Sequence, residues 1–412
     1  MPHAKSQMRI NQKIMKKLAL LLMLTFVIQT EASSQSCIPD GITFYTQESI
    51  DNFQVDYPNC TEIEGYVEIS GDIYNLNGLS VLTNIGEYLN IHHNNQLASL
   101  SGLDNLNTIG GDLTIWGNNT LTSLTGFNNL TSIGGNIQIK DNYALTSLMG
   151  FESLTSVWDL TISNNTNLGS LAGLDNVTTI DSYLTIMSQL TLTNIEGLNS
   201  LTFIGGNLNI LDNYSLINLS GLNNLTSIGN GIEIFDNPVL TSLDALANLT
   251  SIANELYIAT NNSLVSLEGL DNIDANSIQQ LLILYNPSLY MCEVRSVCDY
   301  LASPNGTISI NSNESGCNTQ AEIEEACISI DVLEVIPESE FIVYPNPAKN
   351  KISIICSNEL AIDEISIYNQ LGQKVLHNNN DNNINISTLV QGFYIVELIS
   401  GNFRVRQKLR IE

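Results

Sequence analysis

Positive charge is what this chain most lacks: it holds 14 Lys and Arg against 42 Asp and Glu in 412 residues. Between Cys37 and Ile330 only Lys140 and Arg295 are basic, against 31 acidic residues, so the span carries a net charge of −29. Such a surface repels phosphate backbones and anionic lipid, which excludes nucleic-acid binding and electrostatic docking to a membrane. Solubility of an exported protein accounts for the charge. A divalent cation such as Ca²⁺ ranks second, because no compact ligand motif accompanies the acids, and no other cofactor is indicated. Histidine is scarce too. Of four, His3 and His377 lie near the ends, and His92-His93 have no Cys or Ser elbow nearby. Cysteine is missing from the whole stretch between Cys60 and Cys292. No ten-residue window in that stretch offers a helical stripe, and no apolar run reaches the length of a bilayer span.

What the chain has is repetition. The stretch Leu113 to Ile133, LTIWGNNTLTSLTGFNNLTSI, returns with small changes, and its L-x-I begins at Leu89, Leu113, Ile137, Leu160, Leu184, Leu208, Ile232, Leu256 and Leu281. The steps are 24 residues, except one of 23 and one of 25. A period held that tightly is the mark of a stacked repeat. Within the second repeat the apolar residues are Leu113, Ile115, Leu121, Leu124, Phe127, Leu130 and Ile133. The first two alternate as a strand does, and the rest suit short extended pieces bent by Gly, Asn, Ser and Thr. One coil cannot cover its own apolar face, so the coils are expected to stack as a β-solenoid. Five residues after each origin stands Asn in eight of nine repeats, with Gln189 as the exception. That pattern predicts an amide ladder bonded to the backbone of neighbouring coils.

The ends differ. Residues 1–36 read as a signal peptide, with Lys13, Lys16 and Lys17 before the apolar run Leu18 to Ile28. Residues 37–66 form an N-terminal cap, 67–289 the repeats, and 290–327 a Cys-rich C-terminal cap. Cys37, Cys60, Cys292, Cys298, Cys317 and Cys327 flank the repeats, as disulfide staples at the solenoid ends would in an exported chain. Cys37 is expected to pair with Cys60, while the other four allow three connectivities. Residues 328–340 form an acidic linker. From 341 to 412 alternating strands between turn clusters predict a small Ig-like β-sandwich.

Two resemblances follow from these residues. The opening NCTEIEGYVEIS and the pattern GL-x-x-L-x-x-I-x-G-x-L-x-I resemble the receptor L domain, the ligand-binding lobe of insulin-type and epidermal-growth-factor-type receptors, over about Asn59 to Cys327. This implies a right-handed parallel β-helix of about ten coils, in an all-β chain. A leucine-rich-repeat horseshoe is the nearest competing fold, but its return path is often helical. The set Tyr344-Pro345-Asn346-Pro347, Ile367-Tyr368 with Leu371-Gly372-Gln373, and Gly392-Phe393-Tyr394 resembles the C-terminal sorting domain of the type IX secretion system. It implies that machinery as a partner, and passage to the outer surface or exterior of a Gram-negative bacterium. The mature product is expected to begin near Gln35, to end between Cys327 and Glu340, and to keep no transmembrane segment.

Chemistry is nearly silent. Asp212 and Asp236 share one position in adjacent coils, about 4.8 Å apart, a separation that suits retaining glycoside hydrolysis. An Asp-Asn turn bonding its own backbone is several times favoured. The residue three after each origin should point outward, and there Trp116, Met187, Leu211 and Phe235 stand where solvent would favour Thr or Ser, with Tyr257 beside them. Such a row marks an interaction site. The expectation is a binding or adhesion protein without catalysis that recognises an extracellular glycan or protein. A polysaccharide-degrading β-helix enzyme and a purely structural surface protein are the alternatives.

Overall fold

The computed structural model describes residues 36–331, 341–356, 364–369, 373–378, 383–400 and 403–412. The leader up to Gln35, residues 332–340 of the linker, and Leu371 and Gly372 of the sorting motif lie outside them.

The L-x-I segments form one parallel sheet of twelve strands, arranged in strict chain order from Ile42–Phe44 to Thr307–Asn311. Register does not drift: Leu113 lies opposite Leu89 and Ile137, and Ile115 opposite Ile91 and Ile139. The 23-residue step keeps it, with Ile137 opposite Leu160. The residues at each origin and two beyond it are buried in all nine repeats. The repeats are thus coils of a β-solenoid with a continuous apolar interior.

A second row of two-residue strands runs along another face, broken into one stack from Ser36–Cys37 to Ser132–Ile133 and one from Ser156–Val157 to Ser227–Ile228. The break falls at the short coil. Two residues, not three, separate Val157 from Leu160, and Trp158 occupies the corner with its side chain exposed. A third corner explains Gly126, whose φ is +121°. A Cβ there would sit 2.3 Å from the carbonyl oxygen of Leu100, so only glycine lets the coils approach. Below it Phe127 and Phe151 stack with centroids 6.0 Å apart.

The ladder is the dominant polar feature. Asn118 Nδ2 donates to Ile91 O of the preceding coil at 2.9 Å, to Trp116 O at 3.2 Å and to Asn142 Oδ1 at 3.2 Å. The Asn118 backbone N–H also donates to Asn142 Oδ1, at 3.1 Å. Asn142, Asn213, Asn237 and Asn261 repeat the scheme, and Asn313 carries it one coil past the repeats. All eight asparagines and Gln189 are fully buried. Gln189 donates to Ile162 O and Met187 O, but its Oε1 is buried without a donor. The longer side chain leaves a seam there. Just before the ladder, the backbone turns left-handed in every coil, at His93, Gly117, Asp141, Asn164, Ser188, Asp212, Asp236, Thr260 and Tyr285. Most of these residues pay a steric cost in that region, and the buried amide contacts hold them in it.

The ends depart from the sequence reading in three ways. First, the chain is not all-β, because helices Gln47–Asp51, Phe53–Asp56, Arg295–Ala302 and Gln320–Asp331 close the caps. A helix satisfies its own backbone and so terminates a sheet without a free edge. Val297, Tyr300 and Leu301 seal the last coil, and the Tyr300 hydroxyl donates to Gln279 O. Second, the sheet begins inside the segment read as the N-terminal cap and ends inside the C-terminal one, through Ile42 opposite Val67 and Ile308 opposite Leu281. Third, helix Gln320–Asp331 runs past Cys327 into the segment read as linker. The disulfides are Cys37–Cys60, Cys292–Cys317 and Cys298–Cys327. The described residues between 341 and 412 form two antiparallel sheets of three and four strands with a separate core.

The ladder generates a prediction with two arms. Asn142→Ala strands several buried partners and should cost about 2–4 kcal/mol in chemical denaturation. Gln189→Asn closes the seam and should stabilise by about 1 kcal/mol. Equal stability of all three proteins would contradict the ladder's role.

Candidate functional site

Side chains alternate across a strand, so with the origin and the residue two beyond it inside, the residues one and three beyond it face out. The register then builds the outer face residue by residue. Met187 lies opposite Leu211, Leu211 opposite Phe235, Phe235 opposite Ala259, and Ala259 opposite Leu284. Beside that row run Thr185, Asn209, Glu233, Tyr257 and Leu282, likewise paired in order. Met187, Leu211, Phe235 and Tyr257 are half-buried. The Phe235 and Tyr257 rings stack with centroids 6.2 Å apart and planes 21° from parallel. Four of the five residues singled out from the sequence therefore lie together.

Trp116 does not join them. Lys140 and Ser163 come between it and Met187 in the row. It belongs to a second cluster, stacked on His92 at 5.1 Å and met edge-on by His93 at 4.0 Å. His92 Nε2 lies 2.9 Å from Glu68 Oε1. The His92-His93 pair, with His93 in the left-handed turn, thus belongs to an aromatic surface group.

The first patch is bordered by acid. Asp212 and Asp236 occupy the left-handed turn position one residue beyond Leu211 and Phe235. They do not form the self-bonded Asp-Asn turns expected from the sequence: the Asp236 charge acts on the Asp212 carboxyl from the next coil, and the Tyr214 hydroxyl donates to Asp236 Oδ2 at 3.3 Å. Partial burial and then the Asp236 charge raise the Asp212 pKa. Burial and the neighbouring Glu255 do the same to Glu233. The Tyr257 phenol is pushed up by burial, then by Glu233, Glu255 and Tyr285. Asn209 Nδ2 donates to Thr185 Oγ1 at 3.1 Å, and Asn209 Oδ1 is buried out of reach of solvent. The carboxylates ask for hydrogen-bond donors and positive charge.

In the sorting motif, Asn346 ties its loop to the last strand by donating to Lys408 O at 2.7 Å and accepting from the Arg410 N–H at 2.9 Å. Tyr394 is buried, and its hydroxyl donates to Val390 O. Gly392 lies opposite Ile411 in the last strand pair. Tyr344 is exposed, and Pro345 and Pro347 follow cis peptide bonds. Among the described residues, no group of three or more His, Cys, Asp or Glu is arranged to hold a metal, and no helix is long and apolar enough to cross a membrane.

Residues 59–122 match the receptor L domain family, and residues 342–412 match the secretion system C-terminal sorting domain. No curated protein matches the chain. The first match covers only the early coils, but the continuous sheet carries the same architecture to Asn311. The second directs the chain through type IX secretion to the surface or exterior of a Gram-negative cell.

The carboxyl pair gives a pH prediction. A carboxyl whose pKa is raised on folding binds its proton more tightly folded than unfolded, so its contribution is best at low pH and is lost as pH rises through the folded value. Asp212→Asn removes that loss. Thermal unfolding should show the variant more stable than the parent at about pH 7, with the difference vanishing toward about pH 4. A variant destabilised at neutral pH would contradict the repulsive contact.

Proposed function

We propose that the mature chain is a surface-held or released binding protein that engages an extracellular glycan or protein through the outer face of its solenoid. In this reading the coils wind right-handedly, about ten in all, as parallel crossovers nearly always do. A signal peptide starts export and the Ig-like C-terminal domain is removed after sorting. The observation that carries the proposal is the contiguous row Met187, Leu211 and Phe235 with Tyr257 stacked beside it, an apolar ridge bordered by Asp212 and Asp236.

The double variant Leu211→Ser, Phe235→Ser tests the reading. Neither side chain reaches the interior, so the thermal midpoint should stay within a few degrees of the parent, corresponding to about 1 kcal/mol or less. Binding in a screen of glycans and matrix proteins should be lost. Destabilisation by several kcal/mol, or unchanged binding, would overturn the assignment of the face.

A further inference from the structure

We infer that the outer face between the Leu184 and Leu281 strands docks a basic, amphipathic polypeptide segment, one that lays apolar side chains along the ridge with Lys or Arg on either side. This rests on the binding reading above and narrows its ligand to one class.

The ridge runs through Met187, Leu211 and Phe235, dips at the buried Ala259 and resumes at Leu284, with Tyr257 and Leu282 alongside. Both margins are acidic. Asp212 and Asp236 follow the ridge on one side, and Glu233 and Glu255 stand near the start of the neighbouring strands on the other. The solenoid supplies no cation to them: Lys140 is bonded to Gln138 at 2.8 Å, and Arg295 faces Asp299 at 3.5 Å on the cap helix. The raised pKa of Asp212 and of Glu233 reflects partial burial and a like-charged neighbour, and an arriving cation relieves the second of these.

The polar inventory points the same way. Carboxylates accept only. Lys and Arg are donors only. The stacked Phe235 and Tyr257, with Tyr214 and Tyr285 exposed at 50% and 58%, offer ring faces for cation–π contact. An anionic polymer would be repelled. A neutral glycan could stack on the rings but would leave the paired acids uncompensated.

The test uses the full chain and labelled short peptides of alternating Leu and Lys, Leu and Glu, or Ser and Lys, with cellohexaose as the neutral glycan probe. The Leu/Lys peptide should bind about tenfold or more tighter than either other peptide, the scale of a charge pair formed at an interface. Glu233→Gln with Glu255→Gln, and separately Asp212→Asn with Asp236→Asn, should each weaken it about tenfold. Asp244→Asn with Glu268→Gln removes the same charge from exposed corner positions and should change affinity less than about twofold. An equal loss in that control, or equal binding of the Leu/Glu peptide, overturns the proposal. Cellohexaose bound at the ridge, with binding lost in Leu211→Ser, Phe235→Ser and no preference for Leu/Lys, overturns the peptide class while keeping the face. Peptide and glycan binding that both ignore Leu211→Ser, Phe235→Ser overturns the face as well.

Discussion

The buried amide ladder is the constraint on which the rest of the solenoid depends. A parallel stack with a nearly uniform apolar interior of Leu and Ile has no strong reason to prefer one register, because slipping a coil by two residues along its strand would bury similar side chains. Asn118, Asn142 and their equivalents remove that freedom. Each donates backward to the preceding coil's backbone and offers its oxygen to that coil's Asn. A slipped coil would leave several buried donors and acceptors unpaired at about 1–3 kcal/mol each. The same contacts hold the residue before each ladder position in the left-handed region, whatever its side chain.

Fixed register is what turns an outward row into a surface. Because Met187, Leu211 and Phe235 meet in exact lateral order, their side chains form one ridge, and the acids one residue further on form one border. The coil-to-coil turn that brings Asp212 against Asp236 accumulates like charge beside apolar surface, a combination that stability alone would not retain. Stability would be better served by the Thr and Asn found on the same face in earlier coils, such as Thr114 and Asn90.

Much of this was legible in the sequence. The period gave the stack, the alternation gave the inward residues, and the Asn column gave the ladder. The turn conformation before the ladder was not legible, since His93, Asp141, Ser188, Thr260 and Tyr285 share no property, and their geometry is imposed from the next residue. The cap helices escaped because each is short and lies among cysteines, in a stretch with no repeat to average over. Cysteine spacing alone could not choose among three pairings; the placement of Thr307–Asn311 and the two cap helices fixes it. Trp116 was grouped with the ridge because column position says which face a residue takes, but not which neighbours interrupt the row. The contact between Asp212 and Asp236 depends on side-chain rotamers, which no periodicity encodes.

The most direct measurement is native-state hydrogen exchange at the backbone amides of Asn118, Asn142, Asn213 and Asn237, each of which donates to the next coil's side-chain oxygen. If the ladder makes the solenoid one cooperative unit, these amides exchange only through global unfolding, with a common free energy and a common denaturant slope. Exchange through separate local openings, coil by coil and with shallow slopes, would contradict the account.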